Sequence, residues 1–132
     1  MMKFVVSTLV GFVVYFLLGW LFYGFLFSTL MPHPQETPEM MIMVTAGCFF
    51  TGLLLAYIFV YLGGAVTRTD AIRNGGILMG MLALVMHAFT YNCMPDWTWT
   101  HRIIDLFTNV VMGVIIGWAI WFAASKVGNK EN

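Results

Sequence analysis

The sequence predicts an all-α integral membrane protein: a single-domain four-helix bundle over residues 1–132 with both termini in the cytoplasm. Three observations predict it: a scarcity of charge, four long apolar runs, and a lopsided distribution of Lys and Arg. The 132 residues are 61% hydrophobic and 9% charged, with a mean hydropathy of +0.87 and six basic against six acidic side chains. A soluble domain carries about 25% charged residues, so this chain cannot coat itself for water. The same composition lacks the basic surface that nucleic-acid binding needs and the polarity of a disordered chain.

A membrane-spanning helix needs roughly 20 mostly apolar residues to cross about 30 Å of hydrocarbon. Four stretches qualify: residues 4–30, 40–63, 75–92 and 103–125. The first two hold no charge, the third holds His87, and the fourth holds Asp105 near its start. The first run exceeds the roughly 7–15 residues of a signal-peptide core and is expected to be retained. A transmembrane barrel requires segments of about ten residues alternating in polarity, and these runs are continuous.

The connections are short. In the first, Pro32, Pro34 and Pro38 stop the flanking helices, and Thr37 or Thr45 is a candidate cap for the second helix. His33, between two prolines, reads as a turn residue. In the second connection Thr69 or Asp70 is expected to begin a short interfacial turn. The tail after Ser125 reads as frayed. Cys48 and Cys93 fall at different depths and are expected to be isolated thiols.

Orientation follows from Lys and Arg in short loops. Lys3, Arg68, Arg73, Lys126 and Lys130 fall on one side and only Arg102 on the other, beside Glu36 and Glu39 in the first connection. Trp97 and Trp99 are expected at the outer interface, and Trp118 and Trp121 toward the inner one. Together these features predict a multi-pass protein of the bacterial inner membrane.

Small residues mark where helices approach in lipid. Gly11 and Gly19 lie on one stripe of the first helix with Tyr15 and Tyr23, and Gly52 lies on the second helix with Cys48 and Ala56. Gly76 and Gly80 are four apart on the third helix, as are Gly113 and Gly117 on the fourth. These are the expected packing positions, within one chain or between copies.

Extended outward, the stripes reach polar side chains. His87 continues the third, Asp105 and Asn109 continue the fourth, and Tyr23 ends the first, all at similar depth by the 1.5 Å rise per residue. Ionisable groups in a membrane usually face inward and often mark function. The cluster Tyr23, His87, Asp105 and Asn109 reads either as a knot joining helices three and four or as a proton, solute or ligand site.

A metal reading rests on His87, Cys93, Met94 and His101 near one surface, which as soft ligands suit copper. No M-x-x-M, H-x-x-M or C-x-x-C array supports it, and His101 reads as a loop residue. No G-x-S-x-G, H-E-x-x-H or P-loop occurs. No catalytic, metal or cofactor-binding residue is assigned, and no enzyme activity is expected.

The segment Gly19-Trp20-Leu21-Phe22-Tyr23-Gly24, the glycine-rich Gly75 to Gly80 and the acid-led Asp105 to Gly117 together resemble a family of short four-span bacterial inner-membrane proteins known only as a domain of unknown function. The resemblance implies the architecture and no activity. The expected role is a non-enzymatic subunit, partnered by the lipid bilayer and by copies of itself or a larger membrane complex. The alternatives are a small-solute or proton pathway through the polar cluster and, second, haem or copper binding.

Overall fold

Four apolar helices account for most of the chain, as a computed structural model describing residues 1–31 and 36–131 shows, without the side chains of 129–131. They are α1 (Met2–Gly19), α2 (Pro38–Val60), α3 (Arg68–Thr90) and α4 (Trp99–Glu131), and a π-helical segment, Trp20–Leu26, continues α1. Among the described residues there is no strand. Each of the four is long and apolar enough to cross a membrane. Pro32, His33 and Pro34 lie outside the described residues.

Local chemistry sets the ends. Thr37 caps α2, its side chain accepting the Met40 N–H at 3.2 Å, and Pro38 takes the first helical position, where its missing N–H has no cost. Thr45 instead donates to the Met41 carbonyl at 2.8 Å, a back-bond inside α2. Past Tyr61 the chain turns through Gly63 at φ +70°, and the Gly64 N–H reaches back to the Ile58 carbonyl at 3.0 Å. Glycine takes this left-handed position without a Cβ clash, and the return bond satisfies an orphan carbonyl.

The expected interfacial turn at Thr69 or Asp70 is instead the first turn of α3. Thr67 and Asp70 form a reciprocal capping box, with Asp70 N–H to Thr67 Oγ1 at 3.1 Å and Thr67 N–H to Asp70 Oδ2 at 3.2 Å. The cap carries α3 several residues beyond its apolar run, so Arg68 and Arg73 ride on helix. The frayed tail is also corrected: α4 runs to Glu131, and Gly128 lies against the Lys3 stem.

Neighbouring helices alternate in direction. Phe4 meets Tyr61 with ring centroids 5.1 Å apart, and Lys3 meets Gly128 at the same end. Tyr23, His87 and Asp105 meet at the other. Lys3, Arg68, Arg73 and Lys126 therefore share one end of the molecule.

The order of packing is α2, α1, α4, α3, with a lighter contact between α2 and α4. Among the described residues α3 packs chiefly on α4, so the arrangement is more open than the compact bundle expected from the glycine stripes. Leu55, Phe59, Ala71, Met79, Met112, Ile116 and Ile120 form the core. Trp121 packs against that core, while Trp118 is exposed and stacks on Phe122.

Glycines decide two crossings. A Cβ on Gly52 would lie 2.6 Å from the Phe12 nitrogen, and one on Gly11 would lie 3.2 Å from the Gly52 Cα and 3.0 Å from Ile120 Cδ1. Thus α1, α2 and α4 converge there. At the α3–α4 crossing, Gly75 meets Gly113 and Gly117 meets the Ala71 carbonyl. Gly76 and Gly80 are buried at the same seam but face Val114 and Val110 side chains at 3.1 and 3.0 Å. Gly19 departs from the expectation: a Cβ there would meet nothing within 4 Å.

Candidate functional site: a polar cluster at one end of the bundle

Spacing on α4 places Arg102, Asp105 and Asn109 along one side, since residues three and four apart on a helix are neighbours. Asn109 reaches back one turn, its Nδ2 donating to the Asp105 carbonyl at 2.8 Å and contacting Oδ2 at 3.2 Å. The amide thereby fixes the carboxylate from its own helix.

Tyr23 arrives from the π-helical segment. The wider π turn rotates the chain less per residue than an α turn, which alters the register of everything beyond Trp20. The Phe27 N–H donates to the Phe22 carbonyl at 2.8 Å, five residues back, in the π pattern. The Tyr23 hydroxyl donates to Asp105 Oδ1, and Asn109 Nδ2 lies 3.3 Å from the same hydroxyl oxygen. No periodicity in the sequence announced this π turn.

His87 completes the cluster from α3. Its Nε2 stands 2.9 Å from Asp105 Oδ2, and the two side chains are only 15% and 14% exposed. The Nε2–H direction does not point at the oxygen, so this is a close contact rather than a directed hydrogen bond. Trp97 shields the imidazole, with centroids 6.2 Å apart. The four expected residues thus meet around one carboxylate: Oδ1 takes Tyr23, and Oδ2 faces both Asn109 and His87. Such a cluster can hold three helical segments in register or shift a proton between Asp105 and its neighbours.

Sequence reasoning left Arg102 out of the cluster. It is only 6% exposed. Its guanidinium donates to the His87 and Tyr91 carbonyls, both at 3.4 Å, and sits 5.1 Å over the Tyr91 ring. It therefore ties the end of α3, where carbonyls lack helical partners, to the first turn of α4. The signal was present: Arg102 is the only basic residue between Arg73 and Lys126, and a lone cation at a helix start demands a counterpart.

His101 is a capping residue. Its Nδ1 accepts the Thr98 N–H at 3.1 Å, and its own N–H points to Thr98 Oγ1 at 3.4 Å. Among the described residues no three His, Cys, Asp or Glu side chains come together. Cys48 is buried in α2 and Cys93 is exposed, both as free thiols. Ser7, fully buried in α1, has no hydrogen-bond partner for its hydroxyl among the described residues. Comparison with protein-family models, with curated proteins and with solved structures found no match.

Proposed function

We propose that the chain is a small non-enzymatic subunit of the bacterial inner membrane, with both termini cytoplasmic, that associates with copies of itself or with a larger membrane assembly. One observation carries this reading. Gly47 lies on an exposed face of α2, in mid-helix, and a Cβ there would meet nothing within 4 Å; Gly19 is equally free of neighbours. Glycine inside a helix costs about 1 kcal/mol relative to Ala. Gly11, Gly52, Gly75, Gly113 and Gly117 answer that cost with close backbone contacts inside the protomer. Gly47 and Gly19 have no such contact, and close approach by another helix supplies it.

The four cations at one end support the orientation through the positive-inside rule. The resemblance to small four-span proteins agrees with this role and adds no activity. The test is disulfide crosslinking of Gly47→Cys in native membranes, in a chain also carrying Cys48→Ala and Cys93→Ser. The expected product is a covalent dimer or an adduct to another membrane protein. A chain that stays uncrosslinked at Gly47 and purifies as a monomer overturns the reading.

A second reading, a proton or small-solute pathway, rests on the close approach of His87 to Asp105. Flux into liposomes that is lost on His87→Ala supports it, and equal flux removes it.

A further inference from the structure

The turn joining α3 to α4 encloses a recess that neither the packing glycines nor the Asp105 cluster uses. Its volume is about 370 Å³, and Tyr91, Asn92, Trp97, Thr98, Trp99 and Arg102 line it. It lies between the end of one membrane-length helix at Thr90 and the start of the next at Trp99. That is the level at which a bilayer changes from hydrocarbon to headgroups, and where Trp and Tyr concentrate.

Arg102 is the chemistry of this recess. Arginine stays charged in proteins and offers five N–H donors in a planar fork. Here no carboxylate among the described residues pairs with it within 4.0 Å. Its two carbonyl bonds, both 3.4 Å, are longer than an ordinary N–H···O bond. The C-terminal dipole of α3 offsets about half a charge, while the N-terminal dipole of α4 adds a similar positive contribution. A buried cation thus keeps its net charge and spare donors beside an open recess.

We propose that this recess binds a phosphate group, either the phosphodiester of a lipid headgroup or free phosphate. Phosphate accepts two parallel N–H bonds from a guanidinium. It is also the anion that a bilayer supplies at this depth. The Tyr91 ring lies against the guanidinium, 5.1 Å from its carbon, and Asn92 and Thr98 add polar groups for the remaining oxygens.

The test uses the full chain in a maltoside detergent and reads tryptophan fluorescence, because Trp97 and Trp99 line the recess. The probes are dihexanoyl phosphatidylglycerol, the phosphate-free dihexanoylglycerol and inorganic phosphate. A saturable change with the phospholipid but not with dihexanoylglycerol, weakened at least tenfold by Arg102→Gln, is the expected result. Saturation by inorganic phosphate that also depends on Arg102 assigns the site to free phosphate, and its failure beside a responding phospholipid assigns it to the headgroup.

Arg102→Gln also removes the tie to α3, so a second variant guards against misfolding. Asn92 is exposed, and Asn92→Glu sets a negative charge at the rim. It is expected to weaken phosphate binding at least tenfold at an unchanged Tm. Equal response to dihexanoylglycerol, no saturable response to either phosphate probe, or unchanged affinity in Asn92→Glu overturns the proposal.

Discussion

Gly75 and Gly113 touch backbone to backbone: a Cβ built on either would run into the carbonyl oxygen of the other. One turn away, Gly117 has the same relation to Ala71. Dispersion and weak Cα–H···O contacts grow with such close approach, and in lipid they must do what the hydrophobic effect does in water. The α3–α4 seam therefore depends on Ala71, Gly75, Gly113 and Gly117 more than on Gly76 and Gly80.

Gly75→Ala is expected to force α3 and α4 apart and to lose about 1–3 kcal/mol, the usual penalty of overpacking. Gly76→Ala meets the end of the Val114 side chain at 3.1 Å, with the Val110 carbonyl at an ordinary 3.6 Å, and is expected to lose less. Gly47→Ala meets open space and is expected to leave the Tm of the detergent-solubilised monomer unchanged or raised. Thermal unfolding of the three variants ranks them; equal Tm values for Gly75→Ala and Gly47→Ala contradict the seam.

Tyr23→Phe removes the donor to Asp105 Oδ1 and leaves that oxygen without its partner. A lost partner at a half-buried carboxylate costs about 1–3 kcal/mol. Asp105→Asn is expected to show a similar loss. The double variant is expected to lose less than the sum, with a coupling on the order of 1 kcal/mol, as for other hydrogen bonds between membrane helices. Additive losses mean that the two side chains do not interact.

Thr67→Ala deletes the acceptor for the Asp70 N–H and half of the capping box. The expected loss is about 1 kcal/mol, confined to the start of α3. Hydrogen exchange reads it directly: amides of residues 68–71 exchange faster while those of 101–104, behind the Thr98 cap of α4, do not change. Uniform acceleration across both helices counts against a local cap.

The two thiols are expected to differ in reactivity. Cys93 is exposed beyond the end of α3 and Cys48 is buried in α2. A membrane-impermeant maleimide is expected to label Cys93 in the native protein and Cys48 only after denaturation. The same reagent on intact cells reports which side Cys93 occupies, and protection of Cys93 there, with labelling after lysis, reverses the proposed orientation.

The number of membrane-length helices and a candidate cap for α2 were legible in the chain itself. Long uncharged apolar runs make helices wherever they lie in lipid, because every backbone group must be bonded within its own segment. Thr37 before Pro38 is a local signal of the same kind. The spacing of Asp105 and Asn109 likewise put them on one side of α4, because helical periodicity needs no partner to be read.

Tertiary structure alone decided who touches whom. Hydropathy sums along a segment and is blind to its rotation, so it could not distinguish Gly75, against the α4 backbone, from Gly76, which faces the Val114 side chain. It could not foresee that α3 would rest chiefly on α4, or that a π turn would deliver Tyr23 to Asp105. Nor could it show Arg102 folded under the end of α3, because a helix end acquires its partners only when another segment is brought beside it. Crossing angles and close contacts arise from the mutual fit of two surfaces, and no single stretch of sequence contains both.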